Sequence, residues 1–267
     1  MHPTLPRPWA ELAEAAARQA IGVLTDIDDT LTTAGAITSE ALQALAALQV
    51  AGVPVIAITG RPMGWSEPFA MAWPVAAIVA ENGGVALMRD GSALHIEYAQ
   101  DEATRMAHAG RLCEVAQHVL REVPATTLAR DSAGRVTDIA VDHSEFAHLD
   151  AAAIERVVAV MRAAGMNATV SSIHINGWFG DHTKLSAARW MVQRLFGRVL
   201  DDELGRWVYV GDSTNDQLMF GHFPLSVGVA NLMDFADRLT VWPAYLTEGA
   251  RGAGFAQVAA RLIESRG

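Results

Sequence analysis

Residues 23–32 read VLTDIDDTLT, and this stretch places acidic side chains at the end of a short apolar run. Its first residues have the aliphatic character of a buried strand. Asp26, Asp28 and Asp29 follow at once, so three carboxylates fall within four positions. Like charges this close repel each other, and a turn needs only one of them. The stretch therefore predicts a strand that ends at a site with a use for concentrated negative charge.

Further apolar runs of strand length follow along the chain, and segments of helical composition separate them. The predicted core strands are 21–25, 53–59, 75–80, 207–211 and 225–231, and the predicted core helices are 9–20, 39–52, 184–197 and 254–265. In the second of these helices, Ser39 is the expected N-cap and Gly52 the expected stop. Apolar strands that alternate with helices indicate a parallel sheet covered on both faces.

The pattern changes in the middle of the chain, where hairpins and one-faced strands replace the apolar strands. The predicted elements there are a hairpin at 84–99 through Asp90–Gly91, a helix at 101–121, a half-exposed strand at 135–143, a helix from Asp150 to Gly165, and a strand at 167–176. These elements are typical of an α+β layer. We therefore predict an α/β fold with a discontinuous core, 1–88 and 183–267, and an inserted cap at 89–182.

The composition limits the classes of protein to which this chain can belong. It has 267 residues, 51% of them hydrophobic, and a formal net charge of −10, so it can bury a sizeable core but offers no basic surface for nucleic acid. Cys113 is the single cysteine, which excludes an intrachain disulfide, and its helical surroundings predict a buried side chain. With no apolar leader and no apolar run of membrane-spanning length, we expect a soluble cytoplasmic protein without membrane contacts.

Polar residues follow several of the predicted core strands at their carboxyl ends. Asp26 follows the first, Thr59 ends the second, and the fourth runs directly into GDSTND at 211–216. Lys184 begins the helix after the cap. Ligands of open parallel sheets bind at this edge of the sheet, so these groups are expected to meet there.

Each of these features has a simpler interpretation when it is taken alone. A single Asp after a strand is a common turn or cap residue, and a single lysine is usually a solvated surface residue. A calcium loop beginning at Asp26 would need Gly and Glu at its sixth and twelfth positions, where this chain has Leu31 and Ile37. The joint pattern, in which all the features occur in a consistent order, favours a single catalytic site.

This set of motifs resembles that of the haloacid dehalogenase superfamily, whose phosphatases share four of them. VLTDIDDT matches the first, the threonine of AITGR the second, Lys184 the third and GDSTND the fourth. ENGG at 81–84 and VGVAN at 227–231 also resemble the sugar-phosphatase branch with a type IIB cap. The resemblance implies a Rossmann-like core with a parallel sheet, and the cap matches by position, size and style of elements.

The resemblance also implies roles for the residues of the core. Asp26 would be the nucleophile that forms an aspartyl-phosphate, and Asp28 the general acid and base. Mg²⁺ would be the cofactor. Its expected ligands are Asp26, the backbone carbonyl of Asp28, Asp212 and, at the edge, Asp216, and the expected phosphate-binding groups are Thr59, Lys184, Asn215 and the backbone of Asp29. The Asp29 side chain, where many sugar phosphatases have Gly, should point away from the phosphate, toward a cation that the sequence does not identify.

The substrate implied by the resemblance is a small sugar phosphate or related phosphorylated metabolite, and the cap is expected to select it. The candidate contacts are Arg61 and Asn82 at the core rim, and His174, Asn176, Trp178 and His182 in the cap, although His174 and Trp178 can equally be packed strand-end residues. A phosphosugar mutase with the same nucleophile and a non-catalytic binding protein on the same fold stay open as alternatives. The sequence leaves the oligomeric state open between a monomer and a homodimer.

Overall fold

A computed structural model describes residues 5–267 of the chain. The strands are β1 (Arg7–Pro8), β2 (Gly22–Thr25), β3 (Thr32–Thr33), β4 (Ala36–Ile37), β5 (Val55–Ile58), β6 (Ala77–Ala80), β7 (Val85–Asp90), β8 (Ala93–Tyr98), β9 (Thr127–Leu128), β10 (Asp138–Asp142), β11 (Asn167–Val170), β12 (His174–Trp178), β13 (Trp207–Gly211), β14 (Leu225–Gly228) and β15 (Tyr245–Leu246). The helices are α1 (Glu14–Gln19), α2 (Ser39–Val50), α3 (Met63–Ala72), α4 (Glu102–Glu122), α5 (Ala151–Ala163), α6 (Lys184–Phe196), α7 (Gln217–His222) and α8 (Arg251–Glu264). None of these helices combines the length and the apolar character that a membrane crossing requires.

The main sheet has the spatial order β1-β15-β14-β13-β2-β5-β6-β7-β8. Pairing is parallel from β1 to β6, while β7 and β8 continue the sheet in antiparallel fashion. Neighbouring residues of one strand serve opposite faces: Val23 packs with α2 and α8, whereas Leu24 packs with α6 and α7. Two apolar layers therefore enclose the sheet, and the predicted α/β class is confirmed.

A second sheet, with the order β11-β12-β10-β9, is antiparallel throughout. One face packs on α4 and α5 through an apolar cluster that includes Val141 and Ile175. The residues that alternate with these, such as Asp142 and Asn176, are polar and also buried. The predicted half-exposure of 135–143 is wrong because the core covers this polar face, so that all of Asp138–Asp142 is buried.

Several predicted elements differ from the observed ones. The predicted strand 167–176 is a hairpin of β11 and β12, because Ser171 interrupts it with a side-chain turn onto the backbone N–H groups of Ile173 and His174. The predicted helix 9–20 is a short 3-10 turn, Trp9–Glu11, followed by α1. Thr38, rather than Ser39, caps α2. Cys113 is exposed, contrary to expectation, because it lies on the outer side of α4.

The division into core and cap remains a prediction. Because β7 and β8 belong to the main sheet, the boundary predicted between residues 88 and 89 would move toward the C-terminus. β7 and β8 form the predicted hairpin, but both strands extend the main sheet beyond β6. The chain reaches the second layer only with α4 and returns between β12 and α6. We therefore propose 99–182 as a better range for the cap than 89–182. Residues 1–4 of the predicted core lie outside the described residues.

Candidate active site

The carboxyl ends of four neighbouring strands create the candidate site. In the order β13-β2-β5-β6, these strands are followed or ended by Asp212, Asp26, Thr59 and Glu81. All four residues are buried. Strand adjacency thus brings together three residues that the sequence singled out and one, Glu81, that it did not.

Lys184 reaches the acidic end of β2 from the first turn of α6. Thr183 caps this helix and forms a capping box with Ser186, which fixes the direction in which the lysine leaves the helix. Its Nζ lies 2.9 Å from Asp26 Oδ1 and 2.7 Å from Asp216 Oδ1. These carboxylates raise the pKa of Lys184 against the opposing effect of burial, so the buried ammonium stays charged.

Asp216 organises the loop that carries Asp212. One of its oxygens accepts from Lys184 Nζ and the Tyr209 hydroxyl, and the other accepts from the backbone N–H groups of Asp212 and Ser213. Both oxygens are therefore occupied by protein donors. Asp216 is thus less suited to hold a metal ion than the sequence predicted.

Asp212 has the opposite character, since its carboxylate is buried with few partners. Its Oδ1 accepts a long bond of 3.4 Å from the Thr30 hydroxyl, and Oδ2 has no hydrogen-bond partner within residues 5–267. Ligand atoms of Asp26, Asp212 and Asp216 lie within 4.8 Å of one another. Burial raises the pKa of Asp26 to about 7 and that of Asp212 well above its usual range. An oxygen-lined, anionic pair of this kind fits a hard divalent cation between Asp26 and Asp212.

Asp28 faces the cap and is paired with Arg61. The guanidinium Nε lies 2.9 and 3.1 Å from the two carboxylate oxygens of Asp28. The Thr59 hydroxyl donates to Asp28 at 3.5 Å and accepts from the backbone N–H of Arg61 at 3.0 Å. Burial raises the pKa of Asp28, and Arg61 opposes that shift.

Arg61 also connects the core to acidic residues of the second layer. It donates to Glu145 Oε1 at 2.8 Å and to Asp131 Oδ2 at 3.3 Å, and His174 Nε2 lies 2.9 Å from Glu145 Oε2. Although partial burial opposes it, hydrogen bonds from His174 and Arg61 lower the pKa of Glu145 to about 2. The result is a chain of alternating charges that runs from Asp28 into the cap.

Asn176 crosses from the cap to the end of β5. Its Nδ2 donates to Gly60 O at 3.2 Å and to Asp138 Oδ2 at 3.0 Å. Arg135 pairs with Asp138 at 2.8 Å and donates to Gly60 O at 2.9 Å. Two polar side chains of the cap, Arg135 and Asn176, therefore donate to the carbonyl of one core glycine, and Asp138 pairs with both of them.

A cavity of about 380 Å³ opens beside Lys184. Its lining includes Asn82, Trp178 and Asn215. Asn82 Nδ2 is buried without a partner among the described residues, as is the hydroxyl of Thr169 from β11. The cavity thus offers unused hydrogen-bonding groups next to a buried cation.

Trp178 and His182 contact each other, but they line different cavities. The indole Nε1 donates to His182 O at 2.8 Å, and the rings stack at 5.7 Å. The His182 ring lies in a different cavity of about 950 Å³, which Gln100 and His108 also line. Burial, with a smaller effect of His108, lowers the pKa of His182 to about 4. The prediction of His182 as a group near the substrate does not fit this placement.

The Asp29 side chain points away from the other carboxylates. Its Oδ1 pairs with Arg251 Nε at 2.9 Å, and its backbone O accepts from Asn231 Nδ2 at 3.0 Å. Asn231 belongs to the VGVAN segment, and its Oδ1 in turn accepts from the N–H of Arg251. Arg251 is the cation that the sequence left unidentified.

The structure brings together most of the residues predicted from the sequence and adds others. Asp26, Asp28, Thr59, Lys184, Asp212, Asp216, Arg61, Asn82, His174, Asn176 and Trp178 surround the rim of the main sheet. The residues missed were Glu81, Asp131, Arg135, Asp138 and Glu145. The sequence could have indicated Asp138, because it lies on the same face of its strand as Asp142. Glu145 lies in a loop, where no periodic pattern indicates which side chains face the site.

One family model matches the part of the chain that carries the first residues of this site. Residues 23–114, which include Asp26, Asp28 and Thr59, match the model of a family described as haloacid dehalogenase-like hydrolase. No curated protein matches the sequence significantly.

Solved structures resemble the chain over most of its length. One is the C-terminal domain of trehalose-6-phosphate phosphatase from C. albicans, with a TM-score of 0.70 and 14% identity over 98% of this chain and 99% of that chain. Another is a protein from Thermoplasma acidophilum, with a TM-score of 0.69 and 16% identity over 91% and 98%. A third is the sucrose-phosphatase from Synechocystis in complex with sucrose and phosphate, with a TM-score of 0.63 and 16% identity over 92% and 98%. At these identities the likeness establishes the fold.

Proposed function

We propose that this chain, of which residues 23–114 match the model of the haloacid dehalogenase-like hydrolases, is a Mg²⁺-dependent phosphatase acting on small sugar phosphates through an aspartyl-phosphate. The observation that carries this proposal is the meeting of Asp26, Lys184 and Asp212 at one sheet edge, with Asp28 two residues from the first. A nucleophile, a fixed positive charge, a place for a cation and a second carboxyl for proton transfer are what such a reaction requires.

In the first step, an Asp26 oxygen attacks phosphorus while the bond from phosphorus to the ester oxygen breaks. The bonding electrons leave with that oxygen, which takes a proton from Asp28. In the second step, Asp28 accepts a proton from water, the water oxygen attacks phosphorus, and the bond to Asp26 breaks. Inorganic phosphate leaves, and both carboxyl groups return to their starting forms.

Mg²⁺ would be held by Asp26, Asp212 and the backbone carbonyl of Asp28. When bound, it would neutralise charge so that an anionic carboxylate can approach an anionic phosphate. Asp216 would act mainly by fixing Lys184 and the backbone of Asp212, since protein donors occupy both of its oxygens.

The remaining groups would hold the phosphate. Lys184 supplies positive charge, and the Thr59 hydroxyl and Asn215 are the nearest donors. The backbone N–H of Asp29, which donates to the Thr32 hydroxyl at 3.2 Å, would have to exchange that partner for a phosphate oxygen. Such donors, fixed before the reaction begins, are each worth on the order of 3 kcal/mol of transition-state stabilisation. Asp28 has to exchange Arg61 for the ester oxygen before it can donate a proton, because the guanidinium contacts both of its oxygens.

The substrate class is supported by the cavity and by the structural relatives. The cavity of about 380 Å³ beside Lys184 is lined by the amides of Asn82 and Asn215, the Thr169 hydroxyl, the Trp178 ring and Arg162, and these groups can hydrogen-bond to and pack against a polyol. Two similar structures carry the names trehalose-6-phosphate phosphatase and sucrose-phosphatase. A sugar attached to the phosphate is therefore the leaving group that we propose.

The test is phosphate release from a panel of trehalose 6-phosphate, sucrose 6-phosphate, glucose 6-phosphate, mannose 6-phosphate and p-nitrophenyl phosphate, with Mg²⁺ and with a chelator. We expect release that depends on Mg²⁺, and a loss on the order of 10⁴-fold in Asp26→Asn. Asp201→Asn is the matched control, since Asp201 is exposed and pairs only with Arg189 and His222 near the surface.

Three outcomes would contradict the proposal. Isomerised sugar phosphate without free phosphate would indicate a mutase. No turnover of any substrate would favour a binding protein. Substantial activity in a folded Asp26→Asn variant would exclude Asp26 as the nucleophile.

A further inference from the structure

The loop of residues 81–84 joins parts of the molecule that come from distant places in the sequence. The backbone N–H groups of Glu81 and Asn82 donate to Arg61 O and Thr59 O, both at 2.9 Å. A Cβ on Gly83 would lie 2.6 Å from Thr183 O, the residue that caps α6. The loop therefore touches the end of β5 on one side and the base of Lys184 on the other.

The backbone of this loop is held in an unfavourable conformation. Glu81 and Asn82 have φ values of 52° and 54°, in the left-handed region that side chains other than glycine rarely adopt. Such conformations persist only where the surroundings fix them, and they concentrate at functional positions. The strain directs attention to the Glu81 side chain, which no step of the proposed reaction uses.

The Glu81 carboxylate is fully buried and accepts hydrogen bonds from residues 136–137 of the cap and from Met63 of the core. Its partners are Met63 N at 3.0 Å, Val136 N at 3.1 Å, Thr137 N at 2.5 Å and the Thr137 hydroxyl at 2.6 Å. All of these groups donate, so a carboxylate, which only accepts, can satisfy them. A glutamine at this position would point an N–H group toward one of the donors. Gly84 leaves space for Thr137, because a Cβ there would collide with its hydroxyl.

The anchored segment leads directly to the polar face of the cap. Val136 and Thr137 immediately precede Asp138 at the start of β10. Asp138 is hydrogen-bonded to Asn176, which in turn contacts Gly60 O. The position of 136–137 against the core thus sets where these side chains lie above the sheet edge.

We propose that Glu81 is a positioning residue that anchors β10 to the core and thereby sets the distance between the polar cap face and the candidate active site. Glu81 does not touch the reacting atoms. The anchoring stands on the geometry alone, whereas its effect on substrate selection rests on the proposed function.

Hydrogen exchange on the full-length chain tests the anchoring without any substrate. The amides of Val136 and Thr137 should exchange at least about tenfold faster in Glu81→Gln than in the wild type, because both donate to Glu81. Thr137→Val removes only the side-chain donor and should give a smaller increase. Thr126→Val is the control: Thr126 is also a buried cap threonine, but its hydroxyl donates to Val123 O.

Steady-state kinetics test the positioning. In Glu81→Gln we expect kcat/KM to fall for both the best sugar phosphate of the panel and p-nitrophenyl phosphate. The fall should be about tenfold larger for the sugar phosphate, and it should come mainly from a higher KM. Adding Thr137→Val to Glu81→Gln should cause no further loss, because both changes break one anchor.

Unchanged exchange at 136–137 would overturn the anchoring, and equal losses on both substrates would overturn the positioning. A wild-type chain that hydrolyses no phosphomonoester would refute the proposed function, while the exchange result would still decide the anchor.

Discussion

At Asp29 the backbone and the side chain favour different residues. The φ of 53° suits glycine, whereas the carboxylate pairs with Arg251 at 2.9 Å. An Asp tolerates the left-handed region better than most residues do. The acid is therefore compatible with a backbone conformation that glycine adopts most readily.

This balance predicts the effects of two substitutions at Asp29. Asp29→Gly removes the backbone strain and a partly exposed ion pair worth about 0–1 kcal/mol, so we expect the free energy of unfolding to change by less than about 1 kcal/mol. Asp29→Ala keeps the strain and should be less stable than the Gly variant by about 1 kcal/mol. Chemical denaturation of both variants measures the difference. A Gly variant less stable than the Ala variant would show that strain is not the controlling factor.

Single residues also mark the limit of sequence reasoning at this site. Asp212 and Asp216 look equivalent in GDSTND, yet one is saturated by protein donors and the other has a buried oxygen without a partner in the described chain. Tyr209, which makes part of the difference, precedes them in an apolar strand whose pattern gives no sign of a hydrogen bond. The types of residue at the site were predictable, but their division of tasks was not.

At the scale of elements, the start of α2 depends on one hydroxyl. Thr38 accepts from Ala41 N at 3.2 Å, whereas Ser39 is exposed within the first turn. Both residues are acceptable caps by type, so the sequence could not separate them. The backbone decides, because Thr38 is extended and Ser39 is already helical.

Because Thr38 is the N-cap of α2, two neighbouring alanine substitutions should lower the free energy of unfolding by unequal amounts. Thr38→Ala should lower the free energy of unfolding by about 1 kcal/mol, since it leaves Ala41 N without its acceptor. Ser39→Ala, the matched control, should change it by less than about 0.5 kcal/mol. Urea denaturation checks both values. A larger loss for Ser39→Ala than for Thr38→Ala would instead indicate that Ser39 is the N-cap of α2.

The strands of the cap illustrate what alternation can and cannot predict. The period of two in 135–143 correctly separated an apolar face from a polar one. It could not reveal that the core covers the polar face, because the covering residues lie far away in the sequence. Gly60 O accepts from Arg135, and the Glu81 carboxylate accepts from the backbone of Val136 and Thr137. Long-range contacts of this kind also explain why Glu145 and Glu81 were missed.

At the scale of the whole molecule, buried negative charge should couple stability to Mg²⁺. Asp26 and Asp212 are both buried and repel each other when ionised. An ion that binds only the folded chain at a hundred times its Kd stabilises it by about 3 kcal/mol, which corresponds to a rise in Tm of roughly 6–12 °C for a chain of this size.

Thermal unfolding with Mg²⁺, and with NaCl at matched ionic strength, measures this rise. We expect the rise with Mg²⁺ alone. Asp212→Asn should abolish it and should unfold, in the presence of chelator, at or above the temperature of the wild type, because it removes a carboxyl group whose ionised form is destabilised by burial. A full Mg²⁺ effect in that variant would place the ion elsewhere.

The order of strands in the main sheet has a consequence for synthesis of the chain. β2, which carries Asp26, lies between β5 and β13, and β13 follows the entire cap in the sequence. On the ribosome, β5 becomes available early, while the opposite edge of β2 stays uncovered until the cap has emerged. A nascent or truncated chain ending before β13 therefore has an apolar edge available for aggregation and, lacking Asp212, only part of the acidic cluster. The site is therefore completed late in the folding of the newly synthesised chain.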